Sequence, residues 1–321
     1  MISTEIAEFV GGQHHGPAVE LVGVGPLDSA GGDLLAYAEA KVTGEAGCVL
    51  CREPVDGRAC IVVEDPKLAF IKVLRALFSE EVEPGVHPTA VVEGSLGAGV
   101  EVGPHAVIGR DSVVGDGCRI GAGVVIGEGC HVGEGTVIFP RAVLYDNTWV
   151  GPRCRIHAGA VLGADGFSFH PTPKGPVKVP QVGRVVILEG TEIGANTCVD
   201  RAFLTETVVG PGAATDNLVQ IGHNCEVGAE ALIAAQVGLS GSVKVGAGAV
   251  LGGQVGVREH IEIGAGALVG GGSGVVKNLP GGEAYFGTPA IPIAEGRRAY
   301  MAWPKLPEIL KRLRKLEGEK E

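Results

Sequence analysis

Residues 97–162 read GAGVEV GPHAVI GRDSVV GDGCRI GAGVVI GEGCHV GEGTVI FPRAVL YDNTWV GPRCRI HAGAVL, eleven consecutive hexads without a gap. The sixth residue of every hexad is aliphatic, from Val102 to Leu162, and the fourth is small or β-branched. Because side chains alternate between the two faces of a strand, the fourth and sixth residues point to the same side. A second array runs from Gly210 to Val275. A short fixed period of this kind is typical of a parallel β-helix.

Three hexads are expected to form one triangular coil of about eighteen residues, and neighbouring coils stack through backbone hydrogen bonds. Glycine in the first position of a hexad suits the bend between two short strands, where φ can be positive. A strict six-residue period resembles the hexapeptide-repeat proteins, whose β-helix is left-handed. The left-handed sense is implied by that resemblance and not by the period itself.

Composition agrees with a large regular solenoid. The chain has 321 residues, 54 of them glycine, and only 4% aromatic residues. Its net charge of −11 argues against a general nucleic-acid-binding protein. No stretch approaches ~20 uninterrupted apolar residues, so we expect no membrane span. Residues 1–20 lack the basic start and apolar core of a secretory signal, and we expect a cytoplasmic protein.

The sequence divides into three parts. Residues 1–84 lack the hexad period and indicate a small α/β domain, with a helix near 66–78 that starts after Asp65. Residues 85–290 form the predicted β-helix, and residues 291–321 a helical extension. The extension carries an apolar stripe that packs either on its own subunit or in a seam between subunits: Leu306, Ile309, Leu310, Leu313 and Leu316.

Eight cysteines occur in the chain. Four occupy the inward fourth position of a hexad, where a thiol behaves as a small apolar side chain: Cys118, Cys130, Cys154 and Cys225. Cys48 and Cys51 form a C-x-x-C pair, which is compatible with redox or metal chemistry, but no second pair accompanies it. We therefore expect buried strand cysteines in a reducing compartment.

Two segments interrupt the hexads. Residues 164–183 read ADGFSFHPTPKGPVKVPQVG, and residues 200–203 read DRAF. A long loop that leaves a solenoid usually lies on a binding face. The alternative is a tolerated insertion without a role in binding.

Three histidines lie near these breaks. His157 replaces the first-position glycine of its hexad, and His223 lies at a coil corner in QIGHNCEVG. His260 follows 37 residues later, close to two coils, which places it on the same edge as His223. Asp216 precedes His223 by seven residues, and we expect it to face His223 from a neighbouring strand.

The motifs FPRAVLYDNTWVG, IHAGAVLGADGFSF, VPQVGRVVI, EIGANTCVDRA and DNLVQIGHNCEVG occur in the order seen in UDP-3-O-acylglucosamine N-acyltransferases. The resemblance spans about residues 85–290. It implies a homotrimer of lipid A biosynthesis, with the active site between adjacent subunits. The family moves an (R)-3-hydroxyacyl chain from acyl carrier protein to the 2-amino group of a UDP-sugar. We expect no metal and no cofactor beyond the phosphopantetheine of the carrier protein.

The resemblance also implies residue roles. His223 matches the general base, since a histidine titrates near neutral pH and can accept the proton of the attacking amine. Asp216 would orient its ring. The backbone N–H of Gly241 matches the oxyanion donor, and His260 a second histidine near the acyl donor. The remaining candidates for substrate contacts are His157, Phe167, Phe169, Gln181 and Asn224.

The N-terminal domain departs from the family at the segment that stacks the uracil ring. This segment reads GDLLAY over residues 32–37, so Tyr37 is its aromatic residue and Ala36 takes the phenylalanine position. Two interpretations fit this segment. Either Tyr37 recognises the uridine, or the protein uses another nucleotide-linked amino sugar.

Two alternatives from other classes remain at this point. A metal-dependent hydratase like the γ-class carbonic anhydrases needs three histidines that converge at a subunit interface. A non-catalytic β-helical binding scaffold would not need His223.

Two further stretches predict how the acyl donor is bound. The glycine-rich residues 270–274 indicate a long acyl pocket. Residues 296–321 contain eight basic and four acidic residues, which suits docking of an acidic carrier protein.

Overall fold

The computed structural model describes residues 1–78 and 83–316. The chain forms two compact units, Met1–Glu81 and Val82–Glu321. Residues 291–321, set apart by their composition, belong to the second unit. Residues 79–82, beside the predicted boundary at 84, and residues 317–321 of the basic segment lie outside the described residues.

The first unit is a five-stranded sheet with two helices. Its elements are α1 (Ser3–Val10), β1 (Gln13–His15), β2 (Gly23–Val24), β3 (Leu34–Tyr37), β4 (Cys48–Cys51), β5 (Ala59–Val62) and α2 (Pro66–Leu77). The strand order is β1-β5-β4-β3-β2, and only the β1–β5 pair is antiparallel. The predicted second helix is confirmed, with the Asp65 side chain accepting a hydrogen bond from the Leu68 amide at 2.9 Å.

The C-x-x-C pair lies inside this sheet. Cys48, Cys51 and Cys60 are buried free thiols. Burial, with a smaller contribution from the neighbouring Cys60, raises the pKa of Cys48 and Cys51 to about 12. Such thiols stay protonated at neutral pH, which confirms the interpretation of buried strand cysteines.

The second unit contains three long parallel sheets that form the sides of the β-helix. Sheet A contains β7 (Val91–Val92), β10 (Val107–Ile108), β13 (Val125–Ile126), β16 (Val143–Leu144), β19 (Val161–Asp165), β24 (Cys198–Arg201), β27 (Gln220–Ile221), β30 (Gly238–Leu239), β33 (Gly256–Val257) and β36 (Gly274–Val275). Sheet B contains β8 (Ser95–Leu96), β11 (Val113–Val114), β14 (His131–Val132), β17 (Trp149–Val150), β22 (Arg184–Ile187), β25 (Glu206–Val209), β28 (Glu226–Val227), β31 (Lys244–Val245) and β34 (Glu262–Ile263).

Sheet C is the third side, and its last two strands pair antiparallel. It contains β6 (Gly85–Val86), β9 (Glu101–Val102), β12 (Arg119–Ile120), β15 (Val137–Ile138), β18 (Arg155–Ile156), β23 (Glu192–Ile193), β26 (Ala214–Thr215), β29 (Leu232–Ile233), β32 (Val250–Leu251), β35 (Leu268–Val269), β37 (Ala284–Phe286) and β38 (Ile291–Pro292). The predicted parallel β-helix is therefore confirmed.

The strand register follows the hexads. Val107 and Ile108 pair with Val125 and Ile126, eighteen residues later. The sixth-position side chains consequently stack inside the β-helix, where Ile108 and Ile126 are almost fully buried. Burying one such side chain stabilises the fold by roughly 1.5–3 kcal/mol.

First-position glycine has a different role from the predicted one. The left-handed φ falls on the third residue of the hexad, as at Gly117 and Asn147, both with φ 63°. The first-position Gly115 is not left-handed, and a Cβ there would lie 2.7 Å from the backbone nitrogen of Glu134 in the next coil. Gly115 therefore needs to be glycine because two coils approach closely there.

Both insertions fall on sheet A. Val161 pairs with Cys198 because residues 164–183 leave the coil, and part of that segment forms the antiparallel hairpin of β20 (Phe169–Thr172) and β21 (Gly175–Lys178). Cys198 pairs with Gln220, twenty-two residues later, so the second break adds four residues to its coil. From Gln220 onward the eighteen-residue spacing returns.

The second unit ends in α3 (Ile293–Ala302), a 3₁₀ turn (Trp303–Lys305) and α4 (Leu306–Leu316). The five residues of the apolar stripe are 40–85% exposed, so the stripe does not pack on the described part of its own chain. None of the helices in residues 1–78 and 83–316 has the length and apolar character needed to cross a membrane.

Candidate active site

A cleft of about 720 Å³ lies along the corner that follows β27, β30 and β33. It contains three of the four predicted catalytic residues and Phe167 of the loop, together with residues that sequence reasoning did not select. Its lining includes His223, Gly241, His260, Phe167, Asp200 and Gln220.

The strand register brings the catalytic candidates together. Gln220 pairs with Gly238, so the corner residues after them stack in the same way and His223 lies next to Gly241 of the following coil. His260 is one coil further, and its amide donates to the Gly241 carbonyl oxygen at 3.1 Å. The three residues therefore share one edge of the β-helix.

Asn224 holds the His223 ring. The Nδ1 atom of His223 lies 3.0 Å from Asn224 Oδ1, which also accepts a hydrogen bond from the Phe203 amide at 3.1 Å. The side-chain nitrogen Nδ2 of Asn224 donates to Thr205 Oγ1 at 3.2 Å. Because Asn224 Oδ1 is the acceptor, Nδ1 carries the hydrogen and the lone pair of the ring is on Nε2. Asn224, predicted to contact substrate, thus lies where it orients the imidazole.

Two glycines enclose the ring. A Cβ on Gly241 would lie 2.6 Å from His223 Nε2, and one on Gly166 would lie 2.7 Å from His223 Cβ. Both glycines therefore touch the imidazole through their backbone, one from the next coil and one from the loop. The ring cannot be moved toward either side without displacing main chain.

Asp216 is not beside His223 within the chain, so the expectation that it faces His223 from a neighbouring strand is wrong for a single subunit, and its role in orienting the imidazole stays a prediction. It follows β26 on sheet C, and its Oδ1 accepts from the amide and the side chain of Asn217 at 2.7 and 2.9 Å. Seven residues advance the chain by one corner of the triangular coil, so Asp216 and His223 lie on different edges.

Asp200 is one of three carboxylates that share the cleft with His223, beside Asp165 and Glu259. It lies in β24, which pairs with the strand that contains Gln220. Burial raises the pKa of the Asp200 carboxyl, while a hydrogen bond with Gln220 and the nearby His223 act in the opposite direction. The four-residue insertion displaces Asp200 from the regular spacing, and the DRAF break was its signal in the sequence.

The loop covers one side of the cleft. Phe167 is 86% exposed and makes an edge contact with Phe169 at a centroid distance of 5.1 Å. Lys178 fixes this loop by donating from Nζ to the Gly166 carbonyl oxygen at 2.5 Å. The exposed phenyl rings are available to a bound molecule.

Three further candidates are not among the lining residues of the cleft. Gln181 is buried at the base of the loop and donates to the Val179 carbonyl oxygen at 3.2 Å. His157 stacks on Phe139 at 4.7 Å, and its Nε2 lies 2.7 Å from Glu192 Oε1. Tyr37 belongs to the first unit, where its ring contacts Phe70 at 4.9 Å.

Several known proteins are similar to this chain. The chain matches the family described as bacterial transferase hexapeptide (six repeats) over residues 94–128 and 129–164. The UDP-3-O-acylglucosamine N-acyltransferase of Syntrophotalea carbinolica is 49% identical, covering 98% of this chain and 95% of that relative. The protein of the same name from Nitratidesulfovibrio vulgaris is 50% identical with the same coverage. The chain belongs to the UDP-3-O-acylglucosamine N-acyltransferase family.

Membership in this family makes the protein an acyltransferase and confirms the resemblance seen in the motifs. It contradicts the alternatives of a metal-dependent hydratase and of a non-catalytic scaffold. A solved structure described as Arabidopsis UDP-N-acetylglucosamine acyltransferase is also similar, with 27% identity and a TM-score of 0.60. The similarity covers 67% of this chain and 77% of that one.

Cys225 lies two residues from His223 but offers no nucleophile. It is buried, its Sγ donates to the Ser240 carbonyl oxygen at 3.1 Å, and burial raises its pKa to about 12. A protonated thiol aimed at a backbone carbonyl is unsuited to attack a thioester. This geometry favours direct transfer between donor and acceptor.

Proposed function

We propose that this acyltransferase moves an (R)-3-hydroxyacyl chain from acyl carrier protein to the 2-amino group of UDP-3-O-acylglucosamine, in lipid A biosynthesis. The names of the similar proteins support the acceptor. The observation that carries the proposal is the placement of His223, whose Nδ1 lies 3.0 Å from Asn224 Oδ1 and whose Nε2 faces the backbone of Gly241 in an open cleft.

In the proposed reaction the acceptor nitrogen attacks the thioester carbonyl and His223 Nε2 accepts its proton. The backbone N–H of Gly241, which makes no hydrogen bond with the described residues, donates to the developing oxyanion. A preorganised donor of this kind contributes roughly 3–4 kcal/mol. When the tetrahedral intermediate collapses, the C–S bond breaks, and the imidazolium of His223 gives the proton to the leaving thiolate. His260, on the same edge, serves the donor side.

We infer that the acyl chain lies in a trough formed by a column of glycines on sheet A. Gly238, Gly256 and Gly274 pair in register after Gln220. A Cβ on Gly238 or Gly256 would meet no atom within 4 Å, whereas one on Gly274 would lie 2.9 Å from Thr288 Cγ2, so Thr288 bounds the far end of the column. With strands about 4.8 Å apart, the column extends about 14 Å from Gln220 to Gly274. This length suits an extended acyl chain that leads away from His223.

The trough predicts a graded change in donor preference. Gly274→Met is expected to favour shorter donors, and Gly256→Met, nearer His223, to favour still shorter ones. Each methylene kept out of an apolar site costs about 0.8 kcal/mol, which is about fourfold in kcat/KM. Donors of stepped length measure the profile, and Leu268→Met is the control that places the same side chain on the exposed face of sheet C, outside the trough. Identical profiles in both glycine variants would rule out the trough as the acyl site.

We also propose that the protein acts as a cytoplasmic homotrimer without a metal or other cofactor, with the donor chain on the phosphopantetheine of acyl carrier protein. The exposed stripe on α4 supports a seam between subunits, the second of the two options that the sequence left open. Tyr37 of the first unit is the proposed contact for the uracil ring.

The basic C-terminal segment is the proposed docking surface for acyl carrier protein. Charge reversal at Lys311, Arg312, Arg314 and Lys315 is expected to raise KM for the carrier protein. KM for the UDP-sugar should change little, and added salt should shrink the difference because exposed charges are screened. Both KM values are measured at two salt concentrations. Equal changes in the two KM values would assign the segment to subunit assembly instead.

Mass spectrometry of the product tests the proposed function. The purified protein, acyl carrier protein loaded with 3-hydroxyacyl chains, and UDP-3-O-acylglucosamine should give an amide at the 2-position. A second nucleotide-linked amino sugar is included because the segment at Tyr37 differs from the family. Acylation of that sugar alone would replace the proposed acceptor.

A further inference from the structure

Asp200 is a cleft carboxylate that the mechanism above does not use. The fold places it there by a local change in pairing. Strand β19 shifts register between Leu162 and Ala164, and Ala164 then pairs with Asp200. A β-bulge of this kind turns side chains to new directions. The two breaks in the hexad pattern thus meet at this point and bring Asp200 into the cleft with His223.

The surroundings of Asp200 balance its negative charge only in part. Its carboxylate takes a hydrogen bond from Gln220, a neutral partner, and His223 and Lys178 act on it as nearby positive groups without an ion pair. Lys178 Nζ instead lies 3.9 Å from Asp165 and donates to the loop backbone. Within residues 1–78 and 83–316, no lysine or arginine forms an ion pair with Asp200. A half-buried carboxylate without an ion pair favours a cation that enters the cleft and hydrogen-bonds to it.

The cation that best fits the Asp200 carboxylate is a primary ammonium group. An alkyl amine is mostly protonated at neutral pH, and its ammonium presents up to three N–H donors. A charge-assisted hydrogen bond to a carboxylate is about twice as strong as a neutral one. A hydroxyl in the same place carries no charge, and its hydrogen bond to the carboxylate contributes much less binding free energy. The other two carboxylates of the cleft differ, since Asp165 is exposed beside Lys178 and Glu259 follows Arg258.

We propose that Asp200 binds the ammonium form of the acceptor amine and thereby selects amine over hydroxyl acceptors, an inference that rests on the proposed function. The ammonium first hydrogen-bonds to Asp200. It then releases one proton to the water of the open cleft and becomes the neutral amine. As the amine forms the C–N bond with the thioester carbon, His223 Nε2 takes the second proton from nitrogen. The C–S bond breaks, and the thiolate takes that proton from His223. Asp200 is a binding residue in this sequence and returns unchanged.

Binding in the absence of donor tests the proposal. Calorimetry compares UDP-3-O-acylglucosamine with its analogue that carries a hydroxyl in place of the 2-amino group. The unmodified protein is expected to bind the amine about 10- to 100-fold more tightly, the range for a hydrogen bond between charged groups. Asp200→Asn keeps the shape and the hydrogen bond with Gln220, and should bind both ligands about equally. Asp165→Asn removes a neighbouring carboxylate and should keep most of the preference.

A second variant, Asp200→Glu, retains the charge and should keep part of the preference, and circular dichroism checks that both variants fold. If Asp200→Asn keeps the preference of the unmodified protein, Asp200 is not the ammonium site. If it weakens both ligands by the same factor, its role is structural and the proposal fails. If the unmodified protein binds neither ligand, the proposed function itself is wrong and the role of Asp200 falls with it.

Discussion

The His223→Ala variant is expected to turn over at least about 100-fold more slowly than the unmodified protein. Positioned acid–base groups contribute 10²–10⁴-fold to a rate, and Nε2 of His223 is the proposed proton acceptor in the cleft. The fold should persist because the side chain lies at a corner outside the apolar interior. Steady-state kinetics with saturating donor measure the effect.

His87→Ala is the matched control. His87 is exposed in the first coil, and its ring hydrogen-bonds to the nearby Thr89 at 2.9 Å. It should keep the turnover and the melting temperature of the unmodified protein. A His223→Ala protein that is folded and turns over normally would remove His223 from the mechanism.

Gly241→Ala is expected to lower turnover by about 100-fold although it adds a single methyl group. The new Cβ would lie 2.6 Å from His223 Nε2, so the ring must move. Displacing a reacting group by about 1 Å can cost 10²-fold. The variant keeps the backbone N–H of residue 241, so the loss would report the position of the imidazole and not the removal of the oxyanion donor.

Gly253→Ala provides the control for this experiment. Gly253 occupies the same second position of its hexad at another corner, and its Cβ would lie 3.4 Å from the nearest atom. Its turnover should remain near that of the unmodified protein. Equal losses in both variants would indicate a general sensitivity of corner glycines, and unchanged turnover in Gly241→Ala would mean that the imidazole accommodates a neighbouring methyl group.

Much of the fold is predictable because a strict period converts sequence distance into spatial distance. Residues eighteen apart are neighbours, so the adjacency of His223 and Gly241 follows from counting once the hexads are in register. The inward residues follow from strand alternation. This reasoning succeeds because each coil repeats the same local geometry.

The same counting fails where the period is broken or misapplied. Asp200 lies twenty-three residues before His223, a spacing that the eighteen-residue rule does not connect, because the DRAF segment adds four residues to the coil. Asp216, seven residues away, looked close in sequence but lies one corner further around the coil. The orienting role of Asn224 depends on a hydrogen bond from the Phe203 amide and another to Thr205 Oγ1, which no period specifies.

The glycine column has a consequence for how this enzyme can diversify. The reacting groups are on the coils that contain His223, Gly241 and His260, whereas the far end of the column is at Gly274. If the column is the proposed acyl trough, one substitution at its far end would change how much chain is accommodated without touching the imidazole or its supports. Every coil is held by the same backbone hydrogen bonds between strands. The proposed acyl-binding residues on one coil can therefore vary independently of the proposed reacting residues on another.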